Sequence, residues 1–115
     1  MIGYYALLAG ELDHGQATPQ TRQGMSRHYP IPVAVLARLA VDHRHQHRSL
    51  GAALLRDALR RVTLASEQLA VRAVVVHAID ERAERSNQHF GFRSVSATPR
   101  TLMVTLAELR AAGYP

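Results

Sequence analysis

The feature that most narrows what this chain can fold into is a pair of buried-strand patterns with one long helical pattern between them. Val33–Asp42 is almost continuously apolar, broken by Arg38, which predicts a central strand buried on both faces. After the polar run His43-Arg44-His45-Gln46-His47-Arg48, a helix is expected from about Ser49 to Leu69. Its apolar stripe is Leu50, Leu54, Ala58, Val62, Ala65 and Leu69, spaced by three or four residues. Ser49 suits the N-cap, Arg56, Arg60 and Arg61 fall largely outside the stripe, and the helix would span about 30 Å. Val71–Ala78 returns to a buried strand. Strand, helix, strand is a βαβ unit, and its right-handed crossover makes the two strands parallel.

Around this unit the remaining patterns are shorter. Ile2–Ala9 reads as a strand, and residues 10–32, with Gly10, Gly15, Pro19, Gly24, Pro30 and Pro32, as one long loop. Asp80 can cap a second helix running to about His89, and Gly91 suits its C-terminal stop. Thr101–Leu106 is a last strand, and Leu106–Ala112 a short terminal helix. The class is α/β with a mixed sheet, and 115 residues without repeat or linker fit one domain over residues 1–115. The absence of cysteine excludes disulfides, thiolate metal sites and thiol nucleophiles. No apolar run approaches the ~18 residues of a membrane span, and Met1-Ile2-Gly3-Tyr4-Tyr5 lacks the basic start of a signal peptide. A cytoplasmic, non-membrane protein is expected.

Charge then points to a ligand class. All 14 basic side chains are arginine, and eight of them lie between Arg22 and Arg61 against two acids, Asp42 and Asp57. That middle segment carries net +6 while the remainder carries −1. A basic middle suits nucleotide phosphates or nucleic acid, although a solvated surface has the same composition. The strand–helix joint supplies a place for phosphates, because the first helical amides have no internal partners and the helix dipole adds positive charge there. Gly51 and Ser49 are small enough for close approach, and Arg44 and Arg48 add charge.

The run Leu36-Ala37-Arg38-Leu39-Ala40-Val41-Asp42, followed by Gln46-His47-Arg48-Ser49-Leu50-Gly51-Ala52-Ala53-Leu54-Leu55, resembles the acetyl-CoA segment of Gcn5-related N-acetyltransferases. The signature there is Arg/Gln-x-x-Gly-x-Gly/Ala. Downstream, Asp80 through His89-Phe90-Gly91-Phe92 is similar to that family's second helix and its Tyr-x-x-Phe-Gly-Phe ending, and Ile2-Gly3-Tyr4-Tyr5-Ala6-Leu7 to the strand before its acceptor loop. The run from Pro30 to Asp42, Pro-Ile-Pro-Val-Ala-Val-Leu-Ala-Arg-Leu-Ala-Val-Asp, with the Leu102-Met103-Val104-Thr105-Leu106 ending resembles the TacT-like toxin branch of type II toxin–antitoxin modules. The resemblance implies a mixed sheet with a central βαβ unit flanked by helices, a partial domain lacking the family's usual N-terminal strand and helices.

It also implies a function: acetyl transfer from acetyl-CoA to a primary amine, the α-amino group of aminoacyl-tRNA. A truncated, catalytically impaired remnant of the family, acting as a binding or antitoxin-partner protein, is the alternative. By position, the main chain at Leu39, Ala40 and Val41 would pair with the pantetheine arm, with the Val41 amide at the thioester carbonyl. Amides of Gln46, His47, Arg48, Ser49, Leu50, Gly51 and Ala52 would hold the diphosphate, and Asp80 would stand near the cofactor. Arg22, Arg27 and Arg38 would meet the tRNA backbone. The implied partners are acetyl-CoA, tRNA, a ribbon-helix-helix antitoxin and a second copy of the chain in a homodimer. Departures from the pattern are Ser49 and His47 where glycine is usual, and Asn87 at the position of the general-acid tyrosine. An asparagine amide hydrogen-bonds but does not ionise near neutral pH. His89, two residues further along the helix, would face another side, and Tyr4 and Tyr5 lie on a different strand.

Two other constellations stand in the sequence. His43, His45 and His47 alternate, as zinc, copper or nickel ligands on a strand would, but no carboxylate or cysteine completes the set and no metal is expected. Ser86 and His77 lack the Gly-x-Ser-x-Gly turn of a hydrolase, and His77 reads as a histidine at the edge of the core.

Overall fold

In chain order the elements are β1 (Gly3–Leu12), a single 3-10 turn at His14–Gln16, α1 (Pro19–Arg22), β2 (Ile31–Val41), α2 (Leu50–Ala65), β3 (Ala73–His77), α3 (Glu81–His89), β4 (Arg93–Ser94), β5 (Thr101–Thr105) and α4 (Leu106–Ala111). The structure, a computed structural model, describes residues 3–25, 29–41, 50–68, 70–95, 98 and 100–114, without the side chains of residues 3, 4, 38–41, 50 and 51. The strands form one mixed sheet in the order β1-β2-β3-β5-β4. β2 and β3 are parallel, with Val33 opposite Ala73 and Leu36 opposite Val76, as the βαβ reading requires. The other neighbours are antiparallel.

Period-two alternation divides the core between the sheet's two faces. Ala34, Leu36, Val74, Val76, Leu102 and Val104 point to one side and pack with Leu55, Ala58, Leu59 and Val62 of α2. Ile31, Val33, Ala73, Val75 and Met103 point to the other and pack with Ala17 and Val95. β2, buried on both faces over Ile31–Leu36, is an interior strand as its apolar run predicts, and β3, buried on both faces over Ala73–Val76, is the middle strand of the sheet.

Three expectations change. The stretch 10–32 is not one loop: β1 continues to Leu12, and α1 follows with Thr18 as its cap, the hydroxyl accepting from the Thr21 amide at 3.2 Å. Glycine at position 10 did not end the strand because β2 pairs with it throughout, Gly10 lying opposite Val33. The buried stripe of α2 is Leu55, Ala58, Leu59, Val62 and Thr63, and Ala65 is exposed. The stripe read from sequence was rotated, because Leu54, Leu55 and Leu59 offer two overlapping 3.6-residue series and only the sheet's position chooses between them. The two-residue strand β4 carries too short a pattern to be seen beforehand.

The ends of α3 and α4 are closed by ordinary capping chemistry. Asp80 Oδ1 accepts from the Ala83 amide at 2.8 Å to start α3, and Gly91 at φ +94° supplies the left-handed residue after it. At α4, Thr105 and Glu108 form a reciprocal capping box, with Thr105 Oγ1 accepting from the Glu108 amide at 3.0 Å and Glu108 Oε1 from the Thr105 amide at 3.1 Å. Burial opposes the charge of Glu108, but hydrogen bonds from Thr105 and Arg93 outweigh it and hold the carboxyl below its usual range. A carboxyl depressed in the folded state stabilises the fold above the unfolded-state value, about 4.3, and loses that contribution as pH falls through the folded one. Urea midpoints of the wild type should therefore fall more steeply on acidification than those of Glu108→Gln; parallel curves would exclude this cap as an acid-sensitive element.

Candidate functional site

The parallel strands do not end together. Pairing between β2 and β3 stops at Leu36 and Val76, while β2 continues to Val41. On its other side β2 remains paired with β1 as far as Gly3 opposite Val41. Among the described residues, the backbone of 37–41 therefore presents one row of N–H and C=O groups with no strand beside it on the β3 side. Unpaired strand edges are templates for any extended chain that carries amides.

A cleft of about 310 Å³ opens at this end of the sheet, with Leu36 and Val76 as its floor and Leu55, Ala52, Asn87 and Phe90 as walls from α2 and α3. It lies outside the carboxyl ends of parallel strands, the place where open α/β sheets take ligands. Asn87 is buried at 9% exposure, and its main-chain carbonyl accepts from the Phe90 and Phe92 amides at 3.0 and 3.2 Å. Among the described residues none hydrogen-bonds its side-chain amide, which leaves that group for whatever enters the cleft.

Leu39, Ala40 and Val41 occupy the open main-chain edge of β2 beside the cleft. Leu50 and Gly51 stand in the first turn of α2, and Ala52 lines the cleft directly. Gln46, His47, Arg48 and Ser49, like the histidines at 43 and 45, lie outside the described residues. Asp80 is near the cleft, between Ile79 and Ala83 of its lining, and its carboxylate serves as the cap of α3. Arg27 lies outside the described residues, and of Arg38 the main chain alone, in β2, lies within them.

Arg22 is not brought to this site. It is exposed on α1, donating to the His14 carbonyl at 3.4 Å. α1 is fastened by Arg72, whose Nε donates to the Thr21 carbonyl at 2.9 Å and Nη2 to that of Gln23 at 3.0 Å. Arg72 immediately precedes β3, so α1 sits at the end of that strand opposite the cleft.

Tyr5 is engaged elsewhere too. Its hydroxyl donates to Asp57 Oδ2 on α2, and burial together with that bond raises its pKa above the ordinary phenol value. Asp57 in turn is held below the usual carboxylate range, first by the Tyr5 hydroxyl and then by Arg60 and Arg61, which approach it at 2.8 and 3.0 Å. Arg61 also lies 5.9 Å over the Tyr5 ring. This cluster ties β1 to α2 and absorbs two cations of the basic middle, so it is a structural joint rather than a proton donor for the cleft. His89 is exposed and stacks edge-on against Phe90, facing away from Asn87 as the helical angle requires. Sequence reasoning missed Leu36, Leu55 and Val76 as cleft walls, because an apolar wall residue reads the same as a core residue.

No protein-family model matches the chain. A tRNA-acetylating toxin of Mycobacterium tuberculosis is 39% identical over 111 residues, covering 96% of this chain and 66% of that protein. The structure of AtaTR bound with acetyl-CoA superposes with a TM-score of 0.80 at 26% identity, over 96% of this chain and 65% of that one. An AtaT mutant toxin bound to the C-terminus of the antitoxin AtaR superposes at 0.81 with 23% identity, over 100% and 65% of the two chains, a likeness of fold. The chain thus spans just under two thirds of the length of these relatives.

Proposed function

Since the chain belongs to the Gcn5-related N-acetyltransferase family, in the branch of the tRNA-acetylating toxin, we propose that it transfers acetyl from acetyl-CoA to the α-amino group of aminoacyl-tRNA. The observation that supports the reading is the β2 edge that runs on from Leu36 to Val41 with no described strand on its β3 side, at a cleft lined by Leu36 and Asn87. A pantetheine arm is extended and carries two amides, so it can bond to that edge as an additional strand would. The amides that open α2, at Leu50, Gly51 and Ala52, would hold the diphosphate, a role shared in this reading with Gln46, His47, Arg48 and Ser49.

With the thioester in the cleft, the Val41 amide would polarise its carbonyl where negative charge develops on attack. The acceptor supplies its own nucleophile, since an α-amino group has a reference pKa near 8 and a neighbouring ester lowers it. Holding amine and thioester together contributes by proximity. Arg22, Arg27 and Arg38 are the proposed contacts to the tRNA backbone; Arg22, at the far end of β3, would meet RNA remote from the reacting ester. The site of action would be the cytoplasm, where such RNA is found, and no helix among the described residues is long and apolar enough to cross a membrane.

The proposed partners follow the same reading: a ribbon-helix-helix antitoxin, in line with the AtaT toxin bound to an antitoxin tail, and a second copy of the chain. Among the described residues β1 (Gly3–Leu12) is an edge strand of the sheet, and Leu8 on it is 55% exposed, which supports a homodimer. Asn87 favours a second reading, in which the fold binds its antitoxin without catalysing transfer.

Isothermal titration with acetyl-CoA tests the premise common to site and activity. Saturable heat is expected, and silence at millimolar cofactor would remove the transferase reading.

A further inference from the structure

Catalysis by this chain needs a route for one proton, because the amine must lose it and the departing sulfur must gain it. Asn87 cannot ionise, Tyr5 is bound to Asp57, and His89 faces away. Of the described residues lining the cleft, His77 alone carries an imidazole, whose ring nitrogens can accept a proton and donate one; the other polar ones are Ser86 and Asn87.

We propose that His77 accepts the proton of the attacking amine and passes it to the departing sulfur, a role that rests on the acetyl-transfer reading above. His77 is the last residue of β3, beside the point where β2 loses its partner. Alternation along β3 sends Val74 and Val76 toward α2 and sends Ala73, Val75 and therefore His77 to the other face. α2 and α3 close the first face, so an acceptor as large as tRNA reaches a thioester between β2 and β3 from the face that His77 occupies.

The ring is held in place there. His77 lies opposite Thr101 in register, and Nδ1 is 3.1 Å from Thr101 Oγ1, itself buried. No described residue hydrogen-bonds Nε2. Among the described residues, the charged or titratable groups on the elements around this strand end are Arg100, whose guanidinium donates to the Ile79 carbonyl at 3.0 Å, Asp80, whose carboxylate caps α3, and Glu81, Arg82, Glu84, Arg85 and His89 of α3 itself. Arg38 is the charged residue of β2 nearest in sequence to the pairing's end.

The step balances without another reactant. As the amine nitrogen forms its bond to the carbonyl carbon, the Nε2 lone pair takes one N–H proton. The tetrahedral oxyanion collapses, the C–S bond breaks with its electron pair on sulfur, and the imidazolium returns the proton to that thiolate. The products are an amide and free coenzyme A.

The test is thiol release from acetyl-CoA with aminoacyl-tRNA, followed from about pH 6 to pH 9, for the wild type, His77→Gln and Thr101→Val. His77→Gln should lower kcat by about 10²-fold or more, erase the acid limb of the pH profile and leave acetyl-CoA binding heat intact. Thr101→Val, which frees the ring without removing it, should lower kcat while keeping that limb. The role is overturned if His77→Gln keeps the wild-type rate and profile, or if the wild type binds acetyl-CoA yet transfers nothing. Loss of binding heat in the wild type would instead strike the transferase reading, and this role with it.

Discussion

Replacing Asn87 with tyrosine is expected to raise the rate of acetyl transfer by about 10²–10⁴-fold, the usual contribution of a positioned general acid. The side chain at 87 is buried in the wall of the cleft, on the turn of α3 that precedes Phe90, with Leu36 and Leu55 across the space. A phenol placed there can protonate the leaving thiolate directly, which an amide cannot. Asn87→Phe separates chemistry from packing, since it adds the ring without the hydroxyl and should leave the rate unchanged. Where His77 already returns the proton, the gain falls toward the lower end of the range. It should be larger in a His77→Gln background, because two groups serving one proton are not additive. If Asn87→Tyr binds acetyl-CoA and transfers no faster than wild type, the acceptor side of the site is what limits this chain. The non-catalytic, antitoxin-binding reading then gains the ground.

The largest expected stability change lies under the same cleft. Leu59→Ala should lower the free energy of unfolding by about 2–5 kcal/mol, a large part of the ~5–15 kcal/mol that holds a domain of this size together. Leu59 is fully buried, at 0% exposure, in the cluster where α2 meets β2, β3 and β5. Truncation removes apolar contacts and leaves a cavity that neighbours on a sheet and a helix cannot fill by shifting. Leu64, five residues on, is 49% exposed, and Leu64→Ala should stay within about 0.5 kcal/mol. Urea unfolding of the two variants beside the wild type decides the matter. Equal midpoints would mean that α2 does not pack on the sheet through the Leu55–Leu59–Val62 face.

That pair of leucines also marks where sequence reasoning stops. The helix over α2 was legible from its apolar repeat, as were both strands of the βαβ unit, the Asp80 cap, the Gly91 stop and the final strand–helix at Thr105. Each is a local property, since periodicity, capping and turn preferences act over a few residues of chain. The orientation of α2 was not local. Leu54, Leu55 and Leu59 belong to competing stripes, and burial against Leu36 and Val76 settles which one faces inward. The extension of β1 through Gly10 to Leu12 needed β2 alongside to satisfy its backbone.

The site divides in the same way. The main-chain part proposed for it, at Leu39–Val41 and the head of α2, follows from the order of strand and helix, because backbone amides are present whatever the side chains are. The open edge that makes those amides usable exists because β3 stops at His77 while β2 runs on to Val41, a mismatch that pairing alone reveals. Tertiary structure likewise assigned the tyrosine and histidine of interest: Tyr5 to Asp57 and the α2 flank, His77 to Thr101 at the mouth of the cleft. Sequence set the kinds of groups available and the elements that carry them. Contact between residues 24 to 52 positions apart set which of those groups can act together, because a side chain's partner across a sheet depends on register, and register is a property of the assembled strands.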